Sequence, residues 1–186
     1  MPEPHTPGPG AAERSATLHH DHGRHVVRFE RHLPHPVELV WQALTEADHL
    51  AAWFPTTISG RLVAGGALRF EFRDGAGGGE WDFDGQVLEV DPPRLLAFRW
   101  GDDVLRAELT PTDAGCLLVF TDTMADEGTA ARDAAGWHVC LDQLEAHTDG
   151  RPAVAPGTGP TTGWQAHFDR YAATFGPAAS AVRAGP

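Results

Sequence analysis

The chain predicts an α+β fold in which one long C-terminal helix lies across an antiparallel sheet. Three observations carry that prediction. Between Arg24 and Met124, apolar residues recur mostly at two-residue steps, the period of strands with one buried face. Two short helical patterns interrupt these strands early, after the first. A single long amphipathic pattern, AAGWHVCLDQLEAHTDG at Ala134 to Gly150, follows the last strand. Strands gathered together and a helix after them imply a layered α+β domain with an antiparallel sheet.

The elements read as follows. Residues 1–23 are rich in Pro, Gly, Ala and His without periodicity, the composition of a disordered arm. Within and just beyond it, His19, His20, His22 and His25 form a metal-like cluster. A mobile polar tail does not hold imidazoles in a fixed geometry, so no metal site is expected there. Val27, Phe29 and Leu33 then alternate with Arg28, Glu30 and His32 in a first strand ended by Pro34 and Pro36. A helix opens near Pro36, with Val37, Val40, Trp41 and Leu44 on one face. A second runs over 46–53 behind Thr45 as its N-cap and stops at Phe54-Pro55.

A β meander follows. Strands 58–63 and 67–73 flank Ala64-Gly65-Gly66 as a hairpin signal, and residues 74–79 form a flexible connection. Strand 80–90 carries Trp81, Phe83, Gly85 and Val87 on one parity. Leu96, Phe98 and Trp100 alternate in the next, then Leu105, Ala107 and Leu109. The last strand, 116–124, directs Leu118, Phe120, Asp122 and Met124 to one face. About seven strands result. In the long helix, Ala134, Trp137, Cys140, Leu141, Leu144 and Thr148 make the apolar stripe, and Gly150 and Pro152 end it.

Composition sets what the chain is not expected to do. Its 14 basic against 26 acidic residues give a net charge of −12, which repels phosphate backbones and argues against nucleic-acid binding. There is no run of about 18 apolar residues, so no membrane insertion is expected. The N-terminal sequence lacks signal-peptide features, and a cytoplasmic location is expected. Cys116 and Cys140 read as buried free thiols. Neither a nucleophile elbow nor a phosphate-binding glycine loop is present, and no cofactor or metal is expected.

Three strings carry a family resemblance: VELVWQALTEADHLAAWF at 37–54, GQVLEVDPPRLLAFRW at 85–100 and AAGWHVCLDQLEAH at 134–147. Together they resemble the SRPBCC or START-like superfamily. Within it the chain is most similar to the bacterial group related to the C-terminal domain of the activator of the ninety-kilodalton heat-shock protein's ATPase. The resemblance covers residues 24–150 and implies a helix-grip fold (START-like, Bet v 1-like): a curved sheet around the C-terminal helix with a cavity between them. The superfamily includes lipid and hormone carriers, aromatic polyketide cyclases and co-chaperones, so the fold alone does not choose a function. Two departures stand out. Many bacterial relatives have a histidine where this chain has Asp122, and the eukaryotic co-chaperone carries an additional N-terminal domain that this short arm does not match.

If the aromatic strand parities face the helix, the cavity walls comprise Phe70, Phe72, Trp81, Phe83, Phe98, Trp100 and Trp137, joined by Met124 and Leu141. Such walls suit a flat or apolar ligand unless the rings pack against one another and fill the interior. Asp122 points to the same face. His138 and Asp142, four residues apart, sit at the stripe edge, where an exposed ion pair is the ordinary outcome. A carboxyl beside an imidazole is also a candidate acid/base pair. Residues 151–163 read as a linker. Trp164, Phe168, Tyr171 and Phe175 then give helix 164–176 an aromatic face, for docking on the domain or for a dimer or lid contact. The leading expectation is non-enzymatic binding of a small hydrophobic or aromatic molecule. The alternatives are a chaperone-associated interaction module and a cyclase- or hydrolase-like enzyme using Asp122 or His138.

Overall fold

Among the described residues, eight strands form one antiparallel sheet, ordered β1-β2-β8-β7-β6-β5-β4-β3. A computed structural model describes residues 14–72, 82–154 and 163–181. The strands are β1 (Thr17–Asp21), β2 (Arg24–Leu33), β3 (Thr56–Gly60), β4 (Ala67–Phe72), β5 (Phe83–Asp91), β6 (Leu95–Trp100), β7 (Asp103–Thr112) and β8 (Gly115–Met124). Helices α1 (Val37–Thr45) and α2 (Ala47–Trp53) carry the chain from β2, near one edge, to β3 at the other. The meander then returns strand by strand until β8 pairs with β2. Helix α3 (Ala130–Thr148) crosses the sheet, and α4 (Trp164–Phe175) packs against α3. Among the described residues, no helix is long and apolar enough to cross a membrane.

The face beneath α3 is the predicted one. Val27 and Phe29 of β2, Leu105 of β7, and Leu118, Phe120, Asp122 and Met124 of β8 are all buried. They oppose Ala134, Trp137, Leu141 and Leu144 of α3, also buried. A register shift between Val87 and Glu89 interrupts the β5–β6 ladder, and a bulge of this kind bends and twists a sheet. Gly85 sits where the sheet must admit a ring: a Cβ there would meet Arg99 O at 2.3 Å and Phe70 Cε2 at 2.5 Å.

Several boundaries differ from the sequence reading, each for a local reason. Residues 17–21 are strand β1 rather than part of a disordered arm, because they pair with β2 across a two-residue turn at His22-Gly23. Residues 1–13 of that arm lie outside the described residues. Among the described residues the sheet therefore has eight strands, one more than the approximate count expected. β3 begins two residues earlier than expected and ends at Gly60, so its connection to β4 spans Arg61–Gly66 rather than a three-residue turn. Thr45 does not cap α2. Its hydroxyl donates to the Trp41 carbonyl at 2.7 Å, and Glu46 takes the N-cap position. Helix α3 starts one turn before Ala134 and stops at Thr148, with Gly150 at φ +69° beyond it. The 74–79 connection, Glu80 and most of the 151–163 linker lie outside the described residues. Cys116 and Cys140 are buried and free, and burial raises the thiol pKa of both.

Candidate functional site

The two ends of the space between sheet and helices differ in chemistry. At one end the rings pack on each other. Trp100 lies 4.7 Å from Phe83, 4.8 Å from Phe70 and 5.6 Å from Trp137, and Trp137 lies 5.1 Å from Phe120. Phe70 stacks on Phe98 at 5.6 Å, while Phe72 reaches Phe83 at 6.3 Å and is partly exposed. Phe54, just after α2, closes the group against Trp137 at 5.7 Å and Trp100 at 5.4 Å. These separations are those of mutually packed aromatic pairs.

At the other end, α1 and α2 stand off from β3, β4 and β6. They leave a cavity of about 140 Å³ lined by Leu44, Leu50, Ile58, Leu68, Leu96 and Phe98. Thr45, Ala47, Gly60 and Leu62 complete its lining. A smaller hollow of about 20 Å³ shares Leu44, Leu50, Ile58, Leu96 and Phe98, and it reaches Trp53, Phe54, Leu105 and Phe120. Gly60 has no room for a side chain, since a Cβ would strike Ala67 O at 2.3 Å.

The predicted wall residues divide accordingly. Phe98 lines both hollows. Phe70, Phe72, Phe83, Trp100, Asp122, Met124, Trp137, His138 and Leu141 line neither of them. The rings are spent on one another, and Met124 and Leu141 are fully enclosed core. Trp81 lies outside the described residues. The aliphatic lining was not anticipated. The only signal was that Leu44, Leu50, Ile58, Leu68 and Leu96 share core-facing parities, which does not separate a wall from a packed interior.

Asp122 is 1% exposed, and the Trp137 indole N–H donates to its Oδ2 at 2.8 Å. Its Oδ1 has no partner. Burial, then the nearby Asp133 and Asp103, push its carboxyl well above the usual range, which favours the protonated form. Burial likewise raises Asp103 to about 6. The three carboxyl groups lie within 4.8 Å of one another, and Arg132 Nε pairs with Asp133 at 2.8 Å.

His138 corrects an expectation. It is 4% exposed rather than part of a surface ion pair, because α4 covers it. The Tyr171 hydroxyl accepts the Ala16 N–H at 2.9 Å and lies 2.6 Å from His138 Nδ1. The hydroxyl thus bridges the Ala16 backbone and the imidazole, whose Nε2 lies 3.7 Å from Asp142. Burial, His167 stacked at 3.8 Å, and Arg31 hold the His138 pKa down to about 2. The contact between His138 and Tyr171 joins α4 to α3. Arg31, 2% exposed, adds an ion pair to Glu145 at 2.9 Å, and its guanidinium also donates to the Arg14 carbonyl.

An antiparallel sheet gripped by a long helix, with a hollow closed by two short helices, defines a helix-grip domain. The sequence matches the family described as activator of Hsp90 ATPase homolog 1-like protein over residues 34–149, and the chain belongs to that family, within the SRPBCC superfamily. Among solved structures, a conserved protein of unknown function from Enterococcus faecalis is similar at 20% identity. It has a TM-score of 0.68, over 86% of this chain and 90% of that one. CalU16 from Micromonospora echinospora is 23% identical, with a TM-score of 0.62 over 86% and 95%. DynU16, from the dynemicin biosynthetic locus, is 29% identical with a TM-score of 0.60; the match covers 68% of this chain and about half (48%) of that one. No curated protein matches the chain.

Proposed function

We propose that this protein binds a small apolar molecule in the hollow between α1, α2 and strands β3, β4 and β6. The single observation that carries the reading is that hollow, about 140 Å³, whose lining side chains are mostly aliphatic with one ring, Phe98, and whose wall also exposes polar atoms. An apolar cavity of about 150 Å³ is enough to hold a benzene-sized molecule. The ligand is therefore compact, on the order of six to ten heavy atoms, rather than an extended polycycle. Burial of its surface supplies affinity, and Phe98 favours a flat ring by edge or face contact. The hydroxyl of Thr45 already donates to Trp41, so only its lone pairs remain to orient a ligand N–H or O–H. A relative from a biosynthetic locus is compatible with a small-molecule ligand.

Chaperone association or self-association remains the alternative for the exposed surface. The cyclase- or hydrolase-like alternative would act through Asp122 or His138, and neither lines this hollow. A titration of the full-length protein with toluene, indole and a long-chain fatty acid, read by NMR chemical shifts, tests the proposal. Saturable binding of the small rings, with shifts centred on Leu50, Ile58, Leu68 and Phe98, is expected. Shifts confined to other regions, or preference for the fatty acid, would overturn it.

A further inference from the structure

The β1–β2 hairpin gathers His25 with histidines that composition alone places in a mobile arm. His22 (φ 46°) and Gly23 (φ 77°) both occupy the left-handed region, the requirement of a two-residue type I′ turn. This turn fixes the register in which His20 lies directly opposite His25. Their rings meet edge to face with centroids 4.7 Å apart. His19, one residue earlier, alternates to the other face, where its Nε2 lies 2.7 Å from the Thr17 hydroxyl.

A third donor arrives from across β2. Its neighbour β8 ends at Met124, which pairs with His25. Asp126 then accepts the Gly128 N–H at 2.8 Å and caps the single-turn 3-10 helix Glu127–Thr129. That turn presents the Glu127 carboxylate to the hairpin, 3.6 Å from His20 Nε2 and 3.9 Å from His25 Nδ1. The three donor atoms lie within 4.8 Å of one another.

These separations are too long for hydrogen bonds. They are wider than the roughly 3.3 Å at which tetrahedral bonds of about 2.0–2.1 Å hold ligand atoms, by an amount that rotation of exposed side chains such as His20 closes. His25 Nδ1 is also shielded from solvent without a hydrogen-bond partner, an uncommon condition for a polar nitrogen. We propose that His20, His25 and Glu127 bind a divalent first-row transition ion such as Zn²⁺, with water completing the coordination. Two imidazoles and one carboxylate select such ions over Ca²⁺ or Mg²⁺, which take oxygen ligands. The bound ion ties the edge hairpin to the segment leading into α3. This site is separate from the apolar hollow and stands or falls independently of it.

The test uses full-length, chelator-treated protein titrated with Zn²⁺ by calorimetry and with Co²⁺ by visible absorption. One Zn²⁺ per chain is expected, together with a Co²⁺ spectrum distinct from the aqueous ion. His25→Ala and Glu127→Gln should each weaken Zn²⁺ binding by about tenfold or more, the scale on which lost metal partners act. His19→Ala and His22→Ala should leave it within about twofold, because neither supplies a ligand. Binding that survives the His20→Ala/His25→Ala pair overturns the proposal. So does an unchanged aqueous Co²⁺ spectrum in the wild-type protein, which requires no variant to fold.

Discussion

The aromatic and aliphatic ends of the space beneath the helices are built on the same sheet, yet among the described residues the rings of one pack together while the other leaves a hollow. Trp100, Phe70, Phe83 and Trp137 reach across the layer and touch one another at 4.7–5.6 Å between centroids. Leu44, Leu50, Leu68 and Leu96 are shorter, and Gly60 and Ala47 add almost no volume at the mouth, so about 140 Å³ stays open. Among the described residues the wide rings pack on one another, and this hollow lies where small and branched side chains meet under two short helices.

The largest expected effect comes from breaking the filled end. Trp137→Ala removes the ring that contacts Phe54, Trp100 and Phe120 and strands the Asp122 carboxyl without its indole donor. A loss of about 3–5 kcal/mol in urea unfolding is expected. A loss below about 2 kcal/mol would mean that the rings are loosely packed and that the two ends do not differ as described.

Next in size is the seam between α3 and α4. Tyr171→Phe deletes the hydroxyl that accepts the Ala16 N–H and shares a hydrogen bond with His138 Nδ1. Two buried groups lose their partner, at a cost of about 1–3 kcal/mol. Stability equal to wild type would show that water replaces the hydroxyl and that the seam is wet.

The contrast between the ends also explains what the sequence could convey. Strand parity and the helical stripe located the sheet, α3 and nearly every buried ring, because burial imposes periods of 2.0 and 3.6 on any chain. Periodicity states that Phe70 and Leu68 both point inward. It does not state that Phe70 meets a partner ring while Leu68 faces a hollow, since that depends on sheet curvature and on where α1 and α2 settle. His138 was misjudged for a related reason: its position at the stripe edge is exposed on an isolated α3 and becomes buried only when α4 docks. The β1 strand escaped notice because TLHHD carries no apolar alternation, its pairing being supplied by the His22-Gly23 turn.

Filling the hollow should cost little. Ile58→Phe places a ring beside Phe98 from a half-buried position in the lining of both hollows. A stability change within about 1.5 kcal/mol is expected, the range of tolerated repacking. Binding of toluene or indole should nevertheless be lost. Retained binding with unchanged affinity would remove the hollow from consideration as the ligand site.

The smallest effect is a slope rather than a loss, and it belongs to the filled end. Burial raises Asp103 from 3.8 to about 6, and Asp122 shifts the same way. Between those two values the folded chain holds a proton on Asp103 that the unfolded chain has released. Stability from this group therefore falls as pH rises from about 4 to 6 and levels off above. Paired carboxylates act oppositely: Asp149, lowered by hydrogen bonds from His35 and Arg151, stabilises above its unfolded pKa and loses that contribution in acid. The difference between Asp103→Asn and wild type cancels such background. It should grow in the variant's favour as pH rises from 4 to 6.5, measured as the shift in urea midpoint. A difference that is constant with pH would show that Asp103 is not held as a raised acid beside Asp122 and Asp133.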